Sequence, residues 1–413
     1  MNFFRQLMLR LAVKGTDLTL TSPEGWQILG HGPTWAKVPV VADTQLQISA
    51  AYSAIRLIAE TVGTLPLHLM QETGSGRVKA TSHNLYGLVH DQPNEYMTSV
   101  EWKEAVVVSL ATMGQSYNYV ESFESTGRVV SIQPVHKSRV TPQVRDGVIR
   151  YNLTRPTGVV AELQRRQICP IRGFGGVGEL EGYAPHRLHA NSLALTVAVE
   201  KYGAEFFGSG ARPTGIITTK AEFGEKSRNQ IRAGFAQYMR DSWTKGELPV
   251  LDGETTYSPV TTPNDEAQFI ETRKLQIAEI ARIYRVPLHM LMEMDKASYA
   301  NTEQANKHFL DYTLLSYLKR IEAGLNSCLL TAQERSKGYY FKFDVRGLLR
   351  GDSTQRAQYY VSMRTAGAIT QNEIRDLEDM PIKQGADDLH VPLNMAPSSM
   401  LADILAGKTN GAA

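Results

Sequence analysis

Few residues in this chain have the types and spacing that could support chemistry. The densest run is Gly173-Phe174-Gly175-Gly176-Val177-Gly178, which satisfies GxGxxG. Such a turn holds a dinucleotide pyrophosphate when a strand runs into it and a helix opens directly after it, so that backbone N–H groups face the phosphates. Here Pro170 stands before the run, Glu179, Glu181 and Gly182 follow it, and Pro185 intervenes before any helix. Two carboxylates beside the turn would repel a pyrophosphate, so residues 172–182 read as a flexible loop. The alternative is a nucleotide-dependent oxidoreductase using 173–178, which would bind nucleotide steadily and lose it on Gly175→Asp.

Other catalytic patterns fail on spacing. There is no GxxxxGK[ST] phosphate cradle and no GxSxG nucleophile turn. The ten histidines never form HxH, HxxxH or HExxH. His186 and His189 lie three apart after Pro185 with no acidic partner, and read as surface histidines. Asp387, Asp388 and His390 read as a polar turn rather than a metal site. Asp265, Glu266 and Glu271 could be an acid/base cluster, but carboxylates at a helix start are explained by the helix dipole. Nothing pairs a nucleophile with a base, so the chain reads as a non-enzyme.

Composition leaves room for a large, ordinary core. The chain has 413 residues, 44 Lys+Arg against 42 Asp+Glu, 42% hydrophobic and 21% charged residues. That balance argues against a disordered chain, a coiled-coil rod or a strongly basic nucleic-acid coat. Cys169 and Cys328 are the two cysteines. They form no CxxC pair and no disulfide framework, and two in a chain this long fit a reducing compartment. No apolar run approaches the ~18 residues of a membrane span. Arg5 and Arg10 interrupt any signal-peptide core, which predicts a cytoplasmic protein whose first residues form an amphipathic arm.

The elements that must position these residues follow from periodicity. Residues 1–44 look loose. Residues 47–62 carry Ile48, Tyr52, Ile55 and Ile58 at helical spacing, 65–71 alternate as a strand, and the turn at 74–77 predicts a hairpin. A helix is expected from Ser99 to Thr112, started by Thr98 and Glu101. Residues 115–171 read as an antiparallel meander. A helix from His189 to Gly208 follows, then a mixed unit at 214–263, a helix over 265–285 stopped by Pro287, a Met-rich connector at 288–300 and one long helix over 302–332. Asn301 and Gln304 would form the capping box of that helix. A strand at 339–345 and helices near 353–366 and 371–378 precede a fraying tail. The order is α+β, without the alternation of a doubly wound sheet.

Charge divides the middle of the chain. Between Arg212 and Lys245 seven Lys/Arg face three Asp/Glu, a local balance of +4 (seven minus three) that could meet an acidic partner or DNA. In the helix over 265–285, Arg273, Lys274, Arg282 and Arg285 are cancelled by Asp265, Glu266, Glu271 and Glu279. Such a helix could sit against a neighbouring subunit or line a water-filled space without gripping DNA.

Three blocks of text are more specific. Residues 83–120 read HNLYGLVHDQPNEYMTSVEWKEAVVVSLATMGQSYNYV, residues 280–310 read IARIYRVPLHMLMEMDKASYANTEQANKHFL, and residues 348–376 read LLRGDSTQRAQYYVSMRTAGAITQNEIRD. In that order they resemble the portal proteins of tailed bacteriophages, in the family typical of phages with long non-contractile tails. The likeness runs from about Ile48 to Pro397. Gly114-Gln115-Ser116-Tyr117 departs from the family's Gly-Asn-Ala-Tyr in its middle two positions.

The resemblance implies a portal-type α+β fold. Residues 1–44 would be an N-terminal arm, 45–187 a mixed α/β wing, 188–211 a stem helix and 212–263 a small α/β clip. Residues 264–286 would be the second stem helix, 287–301 a tunnel loop and 302–337 the long wing helix. Residues 338–395 would complete wing and helical crown, with a flexible tail at 396–413. It implies a homo-oligomeric ring, typically a dodecamer, at one capsid vertex of the virion, assembled in the host cytoplasm. The implied partners are the terminase large subunit, the head–tail adaptor, the major capsid protein and non-specific dsDNA, with no cofactor, metal or membrane. Met290, Met292, Glu293, Lys296 and Tyr299 would face the DNA. Lys201, Arg273, Lys274, Arg282 and Arg285 would be the stem charges, and Lys226, Arg228, Arg232 and Arg240 would meet partners at the clip. Another virion structural protein, such as an adaptor, is the second alternative, though adaptors are usually much smaller.

Overall fold

The computed structural model describes residues 34–74, 76–122, 127–175, 180–208, 215–219, 224–230, 233–234, 255–259, 266–291, 307–345, 353–378 and 380–389. Two compact units divide it, one ending at Phe343 and one beginning at Asp344.

The first unit opens with helices α1 (Ala42–Gln47) and α2 (Ser49–Thr64). Ala51, Ala54, Ile55, Ile58, Ala59 and Val62 recur at three- and four-residue spacing, and all are buried. This is the inward stripe of an amphipathic helix. Strand β1 (Leu67–Thr73) turns into β2 (Gly76–Lys79) as the expected hairpin. Both faces of β1 are covered. Leu67 and Leu69 are fully buried, and His68 on the other face stacks on Tyr86 and His90 of α3 (Asn84–His90).

Helix α4 (Ser99–Met113) starts where the sequence predicts. Thr98 and Glu101 form a reciprocal capping box, and Gly114 ends the helix at φ +69°. Its Trp102, Val106, Val107 and Leu110 are buried, and α4 packs on α2. Lys103 is buried as well, its ammonium donating to Leu65 O at 2.6 Å.

The predicted meander resolves into two three-stranded antiparallel sheets. Strands β3 (Gln115–Ser122), β4 (Val129–Val135), β5 (Val140–Arg145), β6 (Val148–Thr154), β7 (Val160–Leu163) and β8 (Ile168–Arg172) are ordered β4-β3-β8 and β5-β6-β7. Their three prolines explain the layout. Pro134, Pro142 and Pro170 lie in β4, β5 and β8, all edge strands, where a missing N–H breaks no ladder. Tyr117, Tyr151, Leu153, Leu163 and Ile168 join the sheets in one cluster.

After the short helix α5 (Pro185–Leu188) comes α6 (Ala190–Gly208), then the antiparallel pair β9 (Gly215–Thr219) and β10 (Thr255–Pro259) with helical residues at 225–230 between them. Helix α7 (Glu266–Tyr284) leads to a 3-10 turn at Leu288–Leu291. The expected single long helix is in fact two. A π-helical turn at Phe309–Leu314 feeds α8 (Leu315–Cys328), which ends four residues early, and α9 (Ala332–Ser336) starts afresh. Thr331 and Glu334 cap α9 reciprocally, so the chain turns although Leu329 and Leu330 keep the apolar text running. Strand β11 (Tyr339–Phe343) closes the unit on β1, giving the order β11-β1-β2. Asn301 and Gln304, the expected cap, lie outside the described residues.

In the second unit α10 (Ser353–Thr365) and α11 (Gln371–Leu377) match the expected helices. Thr370 and Glu373 cap α11, and Asn372 donates to Asp387 Oδ1 at 2.9 Å and to Lys383 O at 2.8 Å. Asp387 therefore serves the polar turn that the sequence suggests.

Candidate functional site

Helices α6 and α7 pack against each other with the β9/β10 pair inserted between them in sequence. Their contacts run in opposite order: Glu200 meets Arg273 at 2.9 Å, while Gly203 and Tyr202 meet Phe269. A Cβ on Gly203 would stand 2.8 Å from the Phe269 ring, so the missing side chain sets how closely the helices approach.

The base of this pair is held by contacts that the sequence did not reveal. Gln45 is fully buried, although residues 1–44 just before it read as loose. Its amide donates to Thr112 O at 3.1 Å, and its carbonyl accepts from the Tyr284 hydroxyl at 2.6 Å. One side chain thus joins α1, the end of α4 and the end of α7. Arg285, at φ +56°, turns the chain out of α7, and its carbonyl accepts from Thr313 Oγ1 at 2.6 Å. Helix α7 is therefore anchored to the π-helical turn.

The cations expected as stem charges are mostly neutralised locally. Arg273 pairs with Glu200, Arg282 with Glu279, and Lys201 approaches Glu205 at 3.8 Å. Lys274 and Arg285 are exposed on α7 and just past its end. Met290 lies in the 3-10 turn, its N–H donating to Pro287 O at 3.0 Å. Met292, Glu293, Lys296 and Tyr299 lie outside the described residues. Lys226 and Arg228 are exposed in the helical residues 225–230, while Arg232 and Arg240 lie outside the description. The structure thus brings Lys201, Arg273 and Lys274 onto one helix pair, Arg282 and Arg285 to its base, and leaves Lys226 and Arg228 between β9 and β10 in sequence.

Gly173, the first glycine of the run, has a structural explanation, while Gly176 and Gly178 lie outside the described residues. Contrary to the sequence reading, a strand does lead into it, because β8 ends at Arg172. The next helix begins only at Pro185. Gly173 instead crosses Gly114 and Gly182 at backbone contact. A Cβ on Gly114 would stand 2.1 Å from Tyr183 O, one on Gly173 2.6 Å from Gly114 O, and one on Gly182 2.1 Å from Gly114 O. Gly173 N–H donates to Gly114 O at 3.0 Å, and Arg320 from α8 donates to Gly173 O at 2.7 Å.

Glu181 points back into the sheet. It accepts from the Tyr117 hydroxyl at 2.8 Å and pairs with Lys137 at 3.1 Å. Burial, and then this carboxylate, push the Tyr117 phenol well above its ordinary pKa. His186 contacts Thr112 O at 3.0 Å and is half-buried, so it ties α5 to α4 rather than standing on the surface. Among the described residues, no group of three or more His, Cys, Asp or Glu could hold a metal ion, and no helix is long and apolar enough to cross a membrane.

Comparison with known proteins places this architecture. The family model described as phage portal protein matches residues 49–379. The chain is 29% identical over 372 residues to the portal protein of Enterobacteria phage HK97, covering 89% of this chain and 87% of that one. It is 27% identical over 361 residues to the probable portal protein of Streptomyces phage phiC31, covering 85% and 79%. Its fold is similar to a chain in the neck of an empty gene transfer agent particle, computed with C6 symmetry. That likeness has a TM-score of 0.56 at 22% identity and covers 88% of this chain and 100% of that one. With the family match spanning α6 and α7, the two wholly antiparallel sheets of residues 115–172, and α10 and α11, the chain belongs to the phage portal protein family.

Proposed function

We propose that this chain forms a ring at one capsid vertex, through which dsDNA enters during packaging and leaves on ejection. The family assignment supports the role, and the stem carries the physical argument. A closed ring needs a heterologous interface, in which two different faces of one subunit meet on neighbours. Helix α6 presents Leu195 and Tyr202, seven residues apart on one face, 52% and 46% exposed. Helix α7 presents Ile270 and Leu275, 56% and 58% exposed. Such faces suit packing between neighbouring stems.

A channel that lets DNA slide must also avoid gripping phosphates. Every cation is repeated around the ring, so one unpaired Arg per subunit becomes a belt of charge. The Arg273–Glu200, Arg282–Glu279 and Lys201–Glu205 contacts reduce that belt. In this reading residues 287–301 face the DNA, and Lys226, Arg228, Arg232 and Arg240 sit on the clip. The packaging motor's terminase large subunit and the head–tail adaptor meet the clip, the capsid protein meets the wing, and twelve subunits close the ring. The role is non-catalytic, with hydrolysis left to the motor. The protein resides in the virion after assembly in the host cytoplasm.

The glycine cross favours this reading over the oxidoreductase, because the backbone contacts at Gly173 fill the approach that a pyrophosphate would need. Removing the gene for this chain from a packaging system tests the proposal. Capsids should still form but stay without DNA, and normal filling in its absence would exclude the role.

A further inference from the structure

The two cysteines, 159 residues apart in sequence, meet across one helix–strand contact. Helix α8 lies on β8 at Gly324, where a Cβ would come within 2.9 Å of the Ile171 side chain. Cys328 is one helical turn beyond Gly324 on the same face, and Cys169 is two residues before Ile171 on the same side of β8. The close approach at Gly324 therefore brings the sulfurs together. Cys169 Sγ stands 3.8 Å from Gly324 O, the carbonyl one helical turn before Cys328, and the two thiols interact electrostatically. Cys169 is fully buried and Cys328 nearly so.

The surroundings of the two thiols differ. Ser327 Oγ lies 3.8 Å from Cys328 Sγ and accepts from Arg165 at 2.9 Å. The hydrogen bond from Cys169 lowers the Cys328 pKa, opposed by burial and aided by Ser327 and Arg165. Burial above all raises that of Cys169, which keeps its proton. Cys328 is thus the more acidic of the two thiols, and Cys169 its proton-bearing neighbour.

We propose that Cys169 and Cys328 are a redox-responsive pair that closes to a disulfide under a hydroperoxide and so fixes α8 to the wing sheet. The Cys328 thiolate attacks the peroxide oxygen, the O–O bond breaks, and the alkoxide leaves with the proton that Cys328 gave up. The resulting sulfenic acid is attacked by Cys169 sulfur. The S–S bond forms, and hydroxide leaves as water with the Cys169 proton. Two thiols lose two electrons, and the peroxide gains them. The contact lies within one chain and stands whether or not the ring assignment is correct. Its mechanical consequence falls on the helix that follows residues 287–301.

The full-length protein treated with hydrogen peroxide, then alkylated under denaturing conditions without reductant, provides the test. The expected product is a monomeric chain that has lost two hydrogens and both reactive thiols. Its proteolytic map should hold a Cys169–Cys328 cross-link, and dithiothreitol should restore both thiols. In Cys169→Ser, Cys328 should stop at a sulfenic acid trapped by dimedone. The unbridged wild-type protein should also melt at a lower temperature than the bridged one. Two free thiols surviving until the protein unfolds, cross-links only between chains, or over-oxidised Cys328 without a bridge would each overturn the proposal.

Discussion

Substituting Gly114 by Ala separates two demands that glycine meets in this fold, because Gly147 offers an internal control. Both residues have left-handed backbone, at φ +69° and +73°. Gly147 follows Asp146 in the tight β5–β6 hairpin turn, and a Cβ there meets nothing within 4 Å. Gly147→Ala therefore incurs only the left-handed penalty of about 1–2 kcal/mol. At Gly114 the added methyl would stand 2.1 Å from Tyr183 O and 2.9 Å from Gly182 O, both backbone atoms. Relief requires the 173–183 segment to shift, which strains the Gly173 N–H to Gly114 O bond. Adding about 1 kcal/mol for that bond and about 1–3 kcal/mol for overpacking to the left-handed penalty gives a total of about 3–6 kcal/mol. Urea unfolding of the three proteins at equal m-values measures the difference. Equal losses for the two variants would refute the close-approach explanation.

Further predictions follow from other contacts. Burial lowers the Lys103 ammonium from 10.5 to about 8. The unfolded chain then holds a proton that the folded one lacks between those values, so stability should rise with pH from about 8 to 10.5, by up to about 3 kcal/mol. Lys103→Met should abolish that rise in pH-resolved urea titrations, and an unchanged slope would reject the assignment. Leu195→Asp places a charge on the outward face of α6. It should leave the chain folded by circular dichroism yet shift it from ring to monomer by sedimentation. Lys296→Glu should alter DNA packaging without preventing ring assembly, and unchanged packaging would remove Lys296 from the channel.

Local features were the legible part of the fold. The Thr98–Glu101 cap, the β1–β2 hairpin and helices α10 and α11 are each decided within a few residues, and each stands where the text predicts. Pairing across distance was not legible. Residues 115–171 alternate correctly for strands, but nothing local says that β8 returns to β3 while β5, β6 and β7 form their own sheet. The prolines held a clue, since each demands an edge, and a single meander supplies only two. The end of α8 was hidden because Leu329 and Leu330 continue the apolar period, whereas the Thr331–Glu334 cap was short enough to read past.

At the site, the two helices α6 and α7 were visible from periodicity, and charge cancellation in α7 from composition. The partners were not. Arg273 finds Glu200 on the other helix, and Gln45 finds Tyr284 across 239 residues of chain. The cysteines show the same limit. Their separation argued against any relation, and only the packing of Gly324 on Ile171 joins them.

The central claim, that this chain closes into a DNA-passing ring, is tested most directly by electron microscopy of the purified full-length protein. The account predicts closed rings with an axial hole wide enough for duplex DNA, with the subunit number read from the symmetry. Monomers or dimers alone, across high concentration and varied salt, would contradict it.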